Sequence, residues 1–480
     1  MKSRTVQPLK KRGQKKETNR KKRNRTLDDT MPMRPVSSVT PFEQRQQTAG
    51  RRTGRMIGYE GYQRSIERRR KAVYAPRPEE DLHRQRPVRE SGVSSVVRRV
   101  RGRNADKVQY FDYDLLLVII FLMCFGLVML YSTSAYSAEG DFGNDMYFFS
   151  KQALIGVLGF VVMFLVSKID YHLYGAFAVE IYVISIILMA LVQTPLGVTI
   201  NGARRWIGLP GNLTLQPAEV TKIAVILFIS YELCRLGKKA YRPAGWGRAL
   251  IYGAIAAGGV LFLTDNLSTA IIVMAITCIL IFVIHPKTKV FYAIAGAGVA
   301  AIVVGVFILS QTLAESDNFR LQRIIAWLDP ESHMDTGSFQ VMQGLYAIGS
   351  GGFFGKGLGN SIQKLENIPE AQNDWILVVI CEELGVFGVI VILCLFAFLL
   401  YRLMFIAKNA PDLYGSLIAT GIFVHIALQV ILNVAVVTGT LPSTGIILPF
   451  ISYGGTAVLF LMAEMGIALG ISRRIKLKDG

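Results

Sequence analysis

One acid stands where a chain could do chemistry at a helix start. Asp374 ends the stretch KLENIPEAQND and immediately precedes the apolar run WILVVICEELG. A carboxylate there is favoured by the helix dipole and by backbone N–H groups that lack an intrahelical partner. It reads either as an N-cap or as a general base open to a substrate from lipid or water. Glu219 and Lys222, in QPAEVTK, are three apart and share a helix face. Such a pair makes a charged helix end tolerable in an apolar setting, and ionisable residues in that setting are also commonly functional. Arg204, Arg205 and Trp206 form a cationic and aromatic patch just upstream. Paired arginines suit a phosphate; anchoring at lipid headgroups is the plainer account.

Three further features carry polar chemistry. GSGGFFGKGLG (349–359) places Lys356 among closely spaced glycines but lacks the GxxxxGK[ST] spacing of a P-loop. It reads as a hinge or as a loop whose backbone and Lys356 approach a ligand. Glu382, Glu383 and Glu464 fall inside apolar runs, where a buried polar network is favoured over a proton pathway. No HxxxH, paired-Cys or Ser-His-Asp pattern appears, so neither an organic cofactor site nor a protein metal cage is expected.

The elements that position these residues are membrane spans. A span needs about 20 mostly apolar residues, and backbone groups in lipid must be satisfied within the element, which makes these spans helices. Ten candidates lie near 113–134, 149–167, 172–193, 218–235, 248–264, 267–285, 290–310, 374–401, 414–438 and 446–471. Only the last is expected to be broken, near Pro449 and Gly454–Gly455. The fold class is therefore all-α and polytopic. A large extracytoplasmic loop, 311–373, joins spans seven and eight, and a second polar loop covers 194–217. Basic residues recur in every second short loop (235–248, 285–289, 401–408, 472–478). The positive-inside rule then puts both termini in the cytoplasm.

Residues 1–109 hold 31 of the 53 Lys and Arg and 11 of the 34 Asp and Glu, a net +20. The overall +19 is thus a property of this segment. It is expected to be a disordered cytoplasmic tail that binds acidic membrane lipids or an acidic cytoplasmic partner and is not needed for polymerisation, ahead of one membrane domain at 110–480. The five cysteines lie in apolar runs and are expected to be plain core residues.

The segments NGARRWIGL, QPAEVTK, DNLSTA, AIGSGGFFGKGLG, IPEAQNDWILVVICEELG and GTLPSTGIILPFISYGG resemble, in order and spacing, the shape, elongation, division and sporulation (SEDS) family. The resemblance covers about residues 112–472 and is nearer the division branch than the elongation branch. It implies a peptidoglycan glycosyltransferase that polymerises lipid II outside the membrane, beside a class B penicillin-binding transpeptidase and other division-complex membrane proteins. The family's essential acid maps onto Asp374, its outer Glu and Lys onto Glu219 and Lys222, and its outer Trp onto Trp206. The chain departs from the family pattern at Gln372-Asn373 and at Thr264–Thr269, and no role is carried to those positions. Nothing suggests nucleic acid as a partner.

The implied chemistry suits the residues. One carboxylate base deprotonates a sugar hydroxyl as it attacks an anomeric carbon, and pyrophosphate leaves without an acid. Its growing charge calls for Arg, Lys or a divalent cation such as Mg or Mn. Two other classes compete. A lipid II flippase would use midplane sites and paired broken helices, and a scaffold would only recruit a partner.

Overall fold

The computed structural model describes residues 110–476, apart from 201, 210–212, 287–288, 290–291, 293–295, 297–326, 329, 331–337 and 366–367. The tail, the seventh expected span and most of 311–337 lie outside the described residues. The rest is a multi-pass α-helical membrane protein. Six described helices are long and apolar enough to cross a membrane.

Helices α1 (Tyr113–Phe142) and α2 (Tyr147–Lys168) match the first two expected spans. The third is divided at Phe177 into α3 (Tyr171–Ala176) and α4 (Ala178–Leu191), so the terminal span is not the only broken one. Next come β1 (Gly197–Ile200), β2 (Ala203–Leu209) and β3 (Leu213–Leu215), an antiparallel sheet in the order β1-β2-β3. Then follow α5 (Pro217–Leu236), α6 (Pro243–Leu263), α7 (Leu267–Ile284), α8 (Phe339–Gly351), α9 (Ile376–Asn409), α10 (Leu413–Val437) and α11 (Thr456–Ser472). Residues 438–455 carry no regular element, so the last span begins later than expected and its break is a whole segment.

Helix α5 explains how charge is tolerated. It carries Glu219 and Lys222 at one end and Glu232 and Arg235 at the other, yet most of its residues are buried against α4, α6, α7 and α10. Its charges pair within the helix, Lys222 with Glu219 and Arg235 with Glu232, and Arg248 of α6 also approaches Glu232 at 3.8 Å. The bundle's two ends differ in kind. One carries the sheet, residues 264–266, 338–365, 368–375 and 438–455. The other carries ion-paired staples. Asp112 caps α1 by accepting from Leu115 N at 2.9 Å, and its carboxylate also meets Arg402 at 3.0 Å. Arg474 pairs with Asp170 and holds that carboxyl well below the usual carboxylate range. His172 bridges Asp170 and Asp412 at 2.8 and 3.1 Å.

The cysteines correct an expectation. Cys381 is buried, but Cys124, Cys278 and Cys394 stand on the outside of the bundle, where a thiol faces lipid as readily as a core.

The glycine-rich stretch has a structural explanation in α9. Gly385 takes φ 69° inside that helix and interrupts it. The two helical bonds lost there run from Val386 N to Glu382 O and from Phe387 N to Glu383 O. All four groups find partners in residues 352–357. Val386 N donates to Gly352 O at 3.1 Å and Phe387 N to Phe353 O at 3.0 Å. Lys356 N donates to Glu382 O and Gly357 N to Glu383 O, both at 2.9 Å. Backbone must touch backbone to do this. A Cβ on Gly355 would overlap the Glu383 carbonyl, and one on Gly385 the Phe353 carbonyl. We therefore expect Gly385→Ala to lower stability by at least about 2 kcal/mol, through the left-handed φ and the loss of these bonds. A thermal unfolding midpoint in detergent equal to the parent's would refute this splice.

Candidate active site

Asp374 lies at the sheet end of the bundle, two residues before α9 begins. The position that caps α9 is Trp375, which makes no side-chain cap bond. The expected N-cap role of Asp374 is therefore not what the fold builds. The indole of Trp375 is fully buried, and its ring occupies the space a side chain on Gly344 of α8 would need. Fixing that bulky ring fixes the backbone of its neighbour. The Asp374 backbone carbonyl accepts from Asn433 Nδ2 at 2.8 Å. Its carboxylate faces Gly445, with Oδ2 3.8 Å from where a Cβ on that glycine would stand.

The unstructured segment 438–455 joins this carboxylate to the cationic side. Tyr453 N donates to Gln372 O at 2.9 Å. Ser268 Oγ, on α7, donates to Thr444 O at 3.0 Å. Just before α7, Asp265 O accepts from Arg205 Nη2 at 3.0 Å. Thr456 Oγ1 donates to Thr214 O of β3 at 2.8 Å. Short contacts thus run from Asp374 through Gly445, Thr444 and Ser268 to Asp265 and Arg205.

Among the described non-glycine residues, three have positive φ: Asp265 (47°), Glu370 (52°) and Phe450 (64°). They fall in the three loops just named. Such backbones cost on the order of 1–3 kcal/mol each and collect at functional sites.

The sheet carries Arg204, Arg205 and Trp206 on β2, with Thr199 opposite Arg204 and Val198 opposite Trp206. Arg204 Nη2 also donates to Thr194 O at 2.5 Å. Strand β3 runs almost directly into Pro217 at the start of α5, and β2 also touches that helix. Glu219 Oε1 and Lys222 Nζ are 2.9 Å apart, with Lys222 1% and Glu219 7% exposed. The pair read from the sequence forms, and it is enclosed.

Lys356 and the interior acids are placed differently from a substrate site. Lys356 Nζ lies 2.6 Å from Glu382 Oε1, and Ser361 Oγ donates to Glu382 Oε2 at 2.5 Å. Glu383 binds Lys364 at 2.7 Å and accepts from Ser132 Oγ. Glu464 meets His425 Nδ1 at 2.8 Å. Each acid has a partner, as in a polar network that fastens helices together. Lys356 belongs to that network.

Beside Gln372 lies a cleft of about 470 Å³, lined among others by Tyr136, Glu139, Asp141, Lys364 and Glu370. It carries three carboxylates, Glu139, Asp141 and Glu370, beside the Lys364 that pairs with Glu383. Among the described residues no three His, Cys, Asp or Glu converge as metal ligands. Sequence reasoning missed Asn433, Gly445 and the strained Asp265. The available signal for Asn433 was weak: it is one of two buried amides, with Gln429, in a mostly apolar helix.

The comparisons with known proteins agree on one group. The cell cycle protein family of FtsW, RodA and SpoVE matches residues 113–477. A probable peptidoglycan glycosyltransferase FtsW of Trichlorobacter lovleyi is 39% identical over 380 residues, covering 78% of this chain and 96% of that one. Stage V sporulation protein E of Bacillus subtilis is 37% identical over 369 residues, covering 75% and 97%. Among solved structures, a chain of a peptidoglycan synthase complex that coordinates polymerization and crosslinking is similar at TM-score 0.62 and 26% identity, covering 77% and 99%. The rod shape determining protein RodA of Thermus thermophilus is similar at TM-score 0.55 and 25% identity, covering 77% and 98%.

Proposed function

This chain belongs to the family of FtsW, RodA and SpoVE, and from that we infer that it is a peptidoglycan glycosyltransferase polymerising lipid II into glycan strands. The observation that carries the mechanism is the carboxylate of Asp374, set against Gly445 at the sheet end and tied by short contacts to Arg205. Asp374 takes the proton of a sugar hydroxyl as that oxygen attacks the anomeric carbon. The bond from that carbon to the pyrophosphate oxygen breaks, and the leaving group departs as an anion. Inversion follows from attack opposite the leaving group. Arg204, Arg205 and Trp206 meet the pyrophosphate end, where charge-assisted hydrogen bonds act on developing negative charge. Glu219 and Lys222 fix the start of α5 next to the sheet. On the protein side, the Asp374 carboxylate would help hold a divalent cation that arrives with the pyrophosphate, and the cation would add positive charge at the leaving group.

The partner in this reading is a class B penicillin-binding transpeptidase, because the similar complex couples polymerization to crosslinking. The site of action is the division membrane, in keeping with relatives named FtsW. Purified protein with its transpeptidase and lipid II should make glycan strands, and the Asp374→Asn variant should make none.

The catalytic end faces outward. The opposite end holds Arg235, Lys238, Lys239, Arg242, Arg402, Lys408, Arg473 and Arg474, the distribution of a cytoplasmic face. In a variant lacking the native cysteines, Asp141→Cys in intact cells should react with an impermeant thiol reagent and Lys408→Cys should not. Both positions are exposed. The reverse labelling pattern would invert the topology and remove this mechanism.

A further inference from the structure

Asn433 lies one turn from the end of α10 and is 1% exposed. Its Nδ2 donates 2.8 Å bonds to two backbone carbonyls, those of Asp374 and Ile446. The first belongs to the lead-in of α9 and the second to the segment 438–455. One primary amide therefore uses both its protons to hold together two stretches more than seventy residues apart. The two stretches are the ones that bring the Asp374 carboxylate against Gly445. We propose that Asn433 is a positioning residue for the reaction: it sets the place of the Asp374 carboxylate relative to the loop that leads to Arg205.

This inference rests on the reading of Asp374 as the base. Three observations carry it. The Asp374 side chain meets the loop at Gly445, next to Ile446. The loop is anchored on its other side by Ser268 at Thr444, so Asn433 closes the remaining degree of freedom. Phe450 in the same segment holds φ 64°, a backbone that persists only where its surroundings over-determine it. No side chain other than Asn or Gln offers two N–H donors from one neutral planar group, and Gln is one methylene longer. A misplacement near 1 Å at a reacting centre costs about 10²-fold in rate.

The test uses the full-length protein with its transpeptidase and lipid II. Asn433→Asp keeps the shape, but an ionised carboxylate donates nothing and faces two carbonyl oxygens. Its rate per folded molecule should fall about 10²-fold at neutral pH, with KM for lipid II within a few-fold of the parent. The protonated form of the introduced carboxyl donates one bond and the ionised form none. The ratio of variant to parental rate should therefore rise as pH falls from 8 to 6. Asn433→Ser, which keeps one donor and adds no charge, should lie between the two and show no such pH trend. If Asn433→Asp fails to fold, the Ser variant alone decides. Parental turnover per folded molecule in the Ser variant, or in a folded Asp variant, overturns the proposal, as does a loss confined to KM. Asp374→Asn is the control. If that variant is active, the base reading fails on its own account. If it is inactive while the Asn433 variants turn over normally, only the positioning role is lost.

Discussion

Asp374→Asn should fold, enter the membrane, bind its transpeptidase and lose on the order of 10²–10⁴-fold in lipid II polymerisation, the range expected for removal of a general base. The substitution is nearly isosteric and leaves the backbone carbonyl that Asn433 holds. It also leaves Trp375 in its pocket against Gly344. Loss of a helix cap does not explain an effect, since Trp375 and not Asp374 occupies the cap position of α9. Stability should therefore change by less than about 1 kcal/mol. An inactive variant with the parental unfolding midpoint separates chemistry from folding. A variant within a few-fold of parental rate would leave the carboxylate without a catalytic role.

The second large effect is on stability. Glu219 and Lys222 are both nearly inaccessible and lie 2.9 Å apart. Lys222→Met should leave the Glu219 carboxylate buried without its partner, and the cost of breaking such a pair is about 3–5 kcal/mol. Glu219→Gln should cost less, since an ammonium next to an amide keeps an acceptor. Exchanging the two residues restores opposite charges at the same separation and should recover part of the loss. The readout is the thermal midpoint of purified protein in detergent, taken as a double-mutant cycle. An exchange less stable than either single variant would deny the two residues any mutual role.

The pair and the acid were legible in the sequence because both are local signals. A three-residue spacing settles a shared helix face, and the start of WILVVICEELG marks where α9 begins. The sheet at 197–215 and the break after 438 were legible only as polar or broken stretches. Other features rest on partners distant in the chain. Asn433 reads as one of two amides in LQVILNVAVV, beside Gln429, and its two carbonyl partners are invisible until the chain folds. The glycines of GSGGFFGKGLG carried no sign that they serve an unwound turn at Gly385. Lys356 looked available for a ligand because its acid, Glu382, lies 26 residues on. Phe177 interrupts a span with neither Gly nor Pro at the break. The exposed cysteines followed a different logic: in lipid the outside of a bundle is as apolar as its core, so composition does not tell them apart.

The flippase reading depended on midplane acids and on paired helix breaks. The interruptions at Phe177 and Gly385 supply further breaks, but the first falls near the staple end, a few residues from Asp170, and the second is closed by backbone bonds to residues 352–357. The interior acids are each engaged by Lys356, Lys364 or His425. A transport cycle would have to open these pairs, at a cost of several kcal/mol apiece.

The central claim is that this chain forms glycosidic bonds. Its most direct test is purified parent protein with its transpeptidase and lipid II, in detergent and with no other polymerase, resolved on a gel beside the Asp374→Asn complex. A ladder of long glycan strands is expected from the parent and unreacted lipid II from the variant. Unreacted lipid II in both lanes, with lipid II crossing the bilayer of vesicles that contain the parent, would contradict it.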